Sequence, residues 1–430
     1  MPVSSAMLDT LAFAHYCAYS NIPSAQSWRS QLDWAEVINL GNSSREWLSI
    51  MTKSLEPSGI MAVFEKARGM KDVIRLEVGE PDFDTPKHIK DAAKKALDNG
   101  FTHYTSSTGI LPLREAIAEK AKRETGVDVD PRREVLVTDG GSCAITLAMM
   151  AVLDPGDEVL ISDPSWPYGP SIKMAQGVPV RFRLLEEEGF RIDFDDLRSK
   201  ISSRSKMIVI NSPNNPTGSI LDRRELETLA KIAIEEDLLV LSDEVYEKLI
   251  YNAQHISALS ISEMKDRAIL VNSFSKTYAM TGWRVGYAIT DEEIVKEMAK
   301  LNLYLNTCST SFAQVAALEA LRGPQDCVKA MVDQYKKRVD LMFRGLEGMR
   351  VPCVKPRGAF YLFPDFSEFS HSSHEIGTLL LEKAHVSTAP GIAFGERGEG
   401  HLRLSCANSM ENLGEALRRI ESALSDLRTK

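Results

Sequence analysis

AILVNSFSK (268–276) reads as a short, mostly apolar strand that runs out into hydroxyls and then, at Lys276, an amine. Apolar residues through most of a strand are what a sheet covered on both faces requires. Lysine is rarely buried, so Lys276 just past such a strand stands out. Taken alone it reads as a side chain snorkelling to the surface. In a desolvated site the same amine loses proton affinity and condenses with aldehydes. Five further segments share the strand pattern: EVLVT (134–138), EVLIS (158–162), MIVIN (207–211), LLVLSD (238–243) and VGYAIT (285–290). Amphipathic helical stretches lie around and between them. PKHIKDAAKKALDNG (86–100) is stopped by Gly100, LPLREAIAEKAKRETG (111–126) carries Pro112 near its start and Gly126 after its end, and RRELETLAKIAIEED (223–237) follows. This alternation predicts an α/β domain with a mostly parallel sheet.

EEIVKEMAKLNLYLN (292–306) opens a helical stretch reaching about residue 348. A second α/β unit follows: GAFYLFP (358–364), a helix near 374–384, VSTAPG (386–391), HLRLSCA (401–407) and a last helix near 409–427. The expected organisation is a large domain over 86–320 and a smaller one from 51–85 plus 321–430. The substrate site is expected in the cleft between them. Residues 1–50 form an extension of uncertain order. They hold two Arg, four acidic residues and three Trp, which fits neither a secretory signal nor a transit peptide. Met51 as the working start is the plain alternative.

The chain has 430 residues, 43% hydrophobic and 26% charged, enough for a large core. Its net charge of -9 disfavours nucleic acid or an anionic membrane as main partner. The apolar runs are far below the ~20 residues that cross a bilayer. Six scattered cysteines and eight scattered histidines show no metal-ligand spacing, and read as reduced thiols and isolated imidazoles of a cytoplasmic protein.

Ligands on open α/β sheets bind at the carboxyl ends of the strands, and there the polar residues gather. EVLVT leads into Asp139-Gly140-Gly141-Ser142, a glycine pair at a helix start, where free N–H groups attract anions; a bare tight turn explains an isolated pair equally. EVLIS leads to Trp166, a flat face for an aromatic ligand or a core residue. MIVIN leads to Asn214-Asn215-Pro216-Thr217-Gly218, a loop in which Asn215 can donate to a phenolic oxygen. LLVLS ends in Asp243, a partly desolvated carboxylate that wants a cation, or a helix cap. Together the strand ends supply an anion pocket, an aromatic face, a donor, a carboxylate and an amine, the set that a phosphorylated pyridine aldehyde needs.

At these residues the chain resembles the fold-type I pyridoxal 5′-phosphate (PLP) enzymes, specifically the class I/II aminotransferase family of the aspartate aminotransferase kind. SFSKTYAMTGWRVGY (273–287) is similar to that family's lysine signature. The likeness extends through LEVGEPDFDTP (76–86), HYTSSTGILPLREAI (103–117), NSPNNPTG (211–218), SDEVYEKLIY (242–251) and HLRLSCA (401–407). It covers roughly residues 55–425. The resemblance implies a seven-stranded, mostly parallel sheet and a homodimer with shared sites. It implies Lys276 as the Schiff-base amine and proton shuttle. Asp243 would pair with the pyridine nitrogen, and Asn215 with Tyr246 would hold the phenolic oxygen. Trp166 would stack on the ring, while Gly141, Ser142, Ser273 and Arg284 would bind the phosphate, joined by Tyr104 of a neighbouring subunit. Arg403 would grip the substrate carboxylate near Gly79, beside Trp166 and Asn215. The expected reaction is ping-pong amino transfer from an L-amino acid, aspartate first, to a 2-oxo acid such as 2-oxoglutarate. Aromatic or small neutral donors, or a lyase or synthase of the same fold, are the alternatives. Some aspartate-using relatives carry a lysine after the paired glycines; here that position is Ser142. A ligand-sensing regulator is the rival from another class; it needs a DNA-binding module, and residues 1–50 show neither a basic surface nor a clear helix-turn-helix pattern.

Overall fold

A computed structural model describes residues 48–55, 59–370 and 372–428. The expectation about residues 1–50 therefore falls almost wholly outside the described residues. In chain order the strands are β1 Ile74–Arg75, β2 Val135–Thr138, β3 Glu158–Asp163, β4 Val178–Leu185, β5 Arg191–Ile192, β6 Ser205–Asn211, β7 Leu239–Asp243, β8 Ala268–Ser273, β9 Gly286–Ile289, β10 Tyr361–Leu362, β11 Val386–Ser387, β12 Ala389–Pro390 and β13 Leu402–Ser405.

The large sheet has the order β2-β9-β8-β7-β6-β3-β4-β5. β8, β7, β6, β3 and β4 are parallel neighbours, whereas β9 runs antiparallel between β2 and β8. Both faces are covered, as the apolar runs require. Along β6, Ile208 and Ile210 join one core cluster while Met207 and Val209 join the cluster on the other face. Six of the strands are those read from the sequence. The seventh, β4, escaped because Pro179, Arg181 and Arg183 break its apolar run. It buries only one row, Phe182 and Leu184. An eighth strand, the two-residue β5, pairs antiparallel at its edge.

Helices follow their sequence signals. Leu111–Thr125 has Pro112 in its first turn and ends on Gly126 in the left-handed region. Arg223–Glu235 starts in a capping box of Asp222 and Glu225. The helical stretch before residue 348 is three helices, Glu292–Asn306, Ser311–Arg322 and Asp326–Gly348, the last two separated at Gly323-Pro324. A second core gathers Met331, Tyr335 and Met342 of the latter with Phe360, Leu404 and Ile420. β1 pairs with β11, so the segment before residue 86 is stitched to the C-terminal part. β13 lies between β10 and β12.

One contact places the end of the sheet against the helix that starts at Gly141. A side chain at Gly286, the first residue of β9, would meet the Gly140 carbonyl carbon and the Gly141 nitrogen at 2.6 Å. Both are backbone atoms, so the helix start itself would have to move. Gly286→Ala should therefore destabilise the fold by about 1–3 kcal/mol, the usual cost of overpacking. Thermal denaturation of the variant measures it, and an unchanged midpoint would contradict the packing described.

Candidate active site

The carboxyl ends of β2, β6, β7 and β8 open on one cavity of about 680 Å³. Its lining includes Gly79, Gly141, Ser142, Trp166, Asn215, Asp243, Tyr246, Ser273, Lys276, Arg284 and Arg403. Eleven of the twelve site residues read from the sequence thus converge. The twelfth, Tyr104, does not line this cavity and is 85% exposed.

Asp243 ends β7 and is 4% exposed. The Tyr168 hydroxyl donates to its Oδ2 at 2.7 Å and the Val245 amide to its Oδ1 at 3.3 Å. No cation forms an ion pair with it among the described residues. Burial pushes its pKa up to about 6, the Tyr168 hydrogen bond opposing and the neighbouring Glu244 charge adding to the rise. Its backbone carbonyl accepts from Asn211 Nδ2 at 2.9 Å, and Asn211 Oδ1 accepts the Asn215 amide at 2.7 Å. Asn211, at the end of β6, therefore locks the Asn215 loop to the Asp243 strand.

Lys276 sits in the short helix Phe274–Thr277, capped by the Ser273 hydroxyl. Its Nζ donates to the Gly79 carbonyl at 2.6 Å. Desolvation brings its pKa down to about 8; the Glu80 charge resists this, and Arg403 and Arg284 reinforce it. An amine so tuned is a usable nucleophile and base near neutrality.

Arg403, on β13, is 1% exposed. Nη1 donates to Asn215 Oδ1 at 3.1 Å and Nη2 to the Glu77 carbonyl at 2.6 Å. Its guanidinium lies over the rings of Tyr361 (4.4 Å) and Phe394 (4.9 Å). Nε has no partner, and no carboxylate pairs with the group among the described residues. A buried guanidinium without an anion is costly, and is the mark of a group that waits for one. Because Asn215 Oδ1 accepts from Arg403, its amino group is left to donate.

At the other end of the cavity the helix Gly141–Val152 begins with no side-chain cap. Gly140 has φ +91°, and a Cβ there would sit 2.5 Å from an Arg284 nitrogen, so only glycine serves. Arg284 donates to the carbonyls of Thr281 (2.9 Å) and Asp139 (3.2 Å). Uncapped helical N–H groups, an arginine and the hydroxyls of Ser142, Ser273 and Ser275 form an anion cradle. The Ser273 hydroxyl already donates to Ser275 Oγ at 2.9 Å, which makes Ser275 the freer donor.

The sequence matches the family described as aminotransferase class I and II over residues 71–420. The chain belongs to this family. It is 45% identical over 374 residues to an aspartate aminotransferase of Pyrococcus abyssi, covering 86% of this chain and 96% of that one. It is 42% identical over 383 residues to an aromatic-amino-acid aminotransferase of Thermococcus litoralis, covering 88% and 98%. The solved aspartate aminotransferase of Thermus thermophilus with maleate superposes with a TM-score of 0.84 at 41% identity, over 88% of this chain and all of that one. The α/β architecture is thus that of this aminotransferase family.

Sequence reading missed Tyr168, Asn211, Ser275 and Tyr361. Tyr361 bonds the Tyr246 hydroxyl at 2.9 Å and underlies Arg403. Asn211 lies in MIVIN, Ser275 in SFSKTYAMTGWRVGY and Tyr361 in GAFYLFP, while Tyr168 lies two residues past Trp166. What hid the two tyrosines is that a tyrosine among apolar residues reads as core.

The raised pKa of Asp243 has a stability consequence. In the ligand-free chain the folded state holds this proton more tightly than the unfolded one. The resulting stabilisation is complete below about pH 4 and is lost as pH rises through about 6. Asp243→Asn should make the ligand-free aminotransferase more stable at pH 8, by about 3 kcal/mol at most for a two-unit shift. The advantage should vanish toward pH 4. Urea melts at both pH values would read it, and a variant equally stable at pH 8 would exclude a raised pKa.

Proposed function

We propose that the chain is a PLP-dependent aminotransferase moving the amino group of an L-amino acid, aspartate first, to a 2-oxo acid such as 2-oxoglutarate. The observation that carries this is one cavity holding a carboxylate without a cation, an amine of lowered pKa and a guanidinium without an anion. The residues present fit the cofactor. Asp243 offers a buried anion for a protonated ring nitrogen, and the uncapped helix start with Arg284 suits a phosphate. Asn215 and Tyr246 would hold the phenolic oxygen, and Trp166 would offer its face to the ring. PLP, when bound, supplies an aldehyde that takes up the amino group and a ring that accepts electrons from Cα.

The chain's own groups do the rest. Lys276 would hold the cofactor through its aldehyde, and its lowered pKa suits it to take the Cα proton of the substrate. Arg403 would grip the α-carboxylate with paired N–H groups and so fix which bond at Cα is aligned. Amino donor and acceptor would use the same site in turn, so the kinetics would be ping-pong.

Relatives named for aspartate, and a homologue solved with the dicarboxylate maleate, favour an acidic donor. A second reading has its own support. The cavity lining is rich in Met61, Val78, Ile145 and Trp166, and its only cations among the described residues are Lys276, Arg284 and Arg403. Aromatic donors fit that lining. We further place the enzyme as a homodimer. Tyr104 (85%), Tyr304 (82%) and Leu305 (58%) are exposed, and the Asn302 side chain ties their two segments through the Ser107 carbonyl. A second copy would cover them and take Tyr104 into its own phosphate cradle. No described helix is long and apolar enough to cross a membrane. The free cysteines suit a reducing compartment, and we assign the cytoplasm.

Purified enzyme should be yellow with bound PLP and should be bleached to the amine form by aspartate alone. Lys276→Ala should lose that visible band and nearly all turnover. Arg403→Ala should raise KM for the amino donor about 100-fold, the loss of two charge-assisted bonds. Turnover by Lys276→Ala near the unmodified rate would refute the assignment. Release of ammonia and a 2-oxo acid without an acceptor would point to a lyase instead.

A further inference from the structure

The turn after β7 serves two cavities. Asp243, Val245 and Tyr246 line the active-site cavity, whereas Glu244 and Glu247 line a second one of about 340 Å³ together with His255 and Lys120. Nothing in the proposed chemistry uses this second group, yet its members are largely buried and bonded to one another. Glu244 is 1% exposed. Its Oε1 accepts from Ser242 Oγ (2.9 Å), Ser257 Oγ (3.0 Å) and the Ala258 amide (2.9 Å), and its Oε2 meets His255 Nε2 at 2.9 Å. Its own amide donates to the Val271 carbonyl on β8 at 2.9 Å.

The remaining charges balance among themselves. Lys120 pairs with Glu247 at 2.7 Å and Glu124 at 3.0 Å, and Lys248 pairs with Glu124 at 2.7 Å. With His255 protonated, three carboxylates meet three cations. Because Lys120 already neutralises Glu247, the cluster has no call for a metal ion. His255 Nδ1 has no partner, which leaves Glu244 as the anchor of the ring.

We propose that Glu244 and His255 form a buried positioning pair for Asp243: Glu244 nails down the turn that aims Asp243 and Tyr246 into the cavity, and His255 cancels its charge. This inference rests on the PLP reading above. Burial disfavours the Glu244 charge, but the His255 charge and the donors to the carboxylate outweigh it and hold its pKa down; burial likewise disfavours the His255 charge, and Glu244 outweighs it and holds the ring's pKa up. Glu247 reinforces that rise and Lys120 opposes it. Around Asp243 the facing groups are Tyr168, the Val245 amide, Lys276, Tyr246 and Glu244. Of these, Glu244 is the anion whose effect His255 controls. Removing the Glu244 charge eases ionisation of Asp243; removing the His255 charge hinders it.

The test is PLP affinity of the full chain as a function of pH. Affinity should fall on the acid side as Asp243 is protonated. Glu244→Gln should move that midpoint to lower pH and His255→Gln to higher pH, each by roughly one unit. The double variant should return toward the wild type, because the two charges act as one pair. A pair that is only structural would lower the melting temperature and leave the midpoint of the folded protein where it was, and that result overturns the proposal. Should Glu244→Gln not fold, His255→Gln carries the same decision, since glutamine still donates to Glu244. Uptake of PLP with an unmoved midpoint overturns only this inference, whereas a wild-type chain that binds no PLP overturns the functional reading itself.

Discussion

Three ionisable groups brought to one cavity, each short of the partner its charge demands, govern the rest of the structure. Asp243 has no cation, Arg403 no anion, and Lys276 gives up proton affinity because water is kept from it. Each would be destabilising in an ordinary core. They persist because the surrounding framework leaves them nowhere else to go. Asp243 is fixed by its place at the end of a central parallel strand, and Arg403 by β13, flanked on both sides. On the proposed reading, a zwitterionic substrate and a cofactor with a cationic ring would supply the missing charges, so that binding offsets a cost that folding had to accept.

The segment 77–85 matters more than its lack of regular structure suggests. Arg403 donates to the Glu77 carbonyl, Lys276 to the Gly79 carbonyl, Thr281 to Glu80, and Trp283 and Thr85 join hands at 2.9 Å. The chain thus crosses from the β1–β11 pair to the loop that carries Arg284, touching the amine and the guanidinium on the way. The Lys276 amine and the Arg403 guanidinium are held in register by one stretch of backbone. A loop can do this only when its ends are anchored in rigid elements, which β1 and the helix Lys87–Asp98 provide.

Most of this was legible beforehand, for identifiable reasons. Buried parallel strands announce themselves as apolar runs, and polar residues just past them stand out because the fold puts ligands there. β4 was illegible because Arg181 and Arg183 face outward at the margin of the sheet, so its pattern is alternating and not continuous. Tyr168 and Tyr361 were hidden differently. A phenol looks apolar in a sequence, and its hydroxyl gains meaning only when the fold aims it at Asp243 or Tyr246. Tyr104, expected by likeness, lies outside this cavity and is exposed; the dimer proposed above is what would give it a role.

Side-chain recognition is where the site is most economical. On the proposed reading, Arg403, fixed by its bonds to Asn215 and Glu77, is committed to the α-carboxylate, Arg284 to the helix start by its bonds to Asp139 and Thr281, and Lys276 to the chemistry. Ser142 offers a hydroxyl where a cation would grip a second carboxylate by charge. A hydroxyl donates equally well to a carboxylate or to water, so it discriminates weakly between acidic and neutral donors. Exclusion of aromatic donors would need a cation or a steric block, and the apolar lining around Met61, Val78 and Ile145 supplies neither. The physical expectation is an enzyme strict about the α-carboxylate and the amine, and tolerant beyond Cβ.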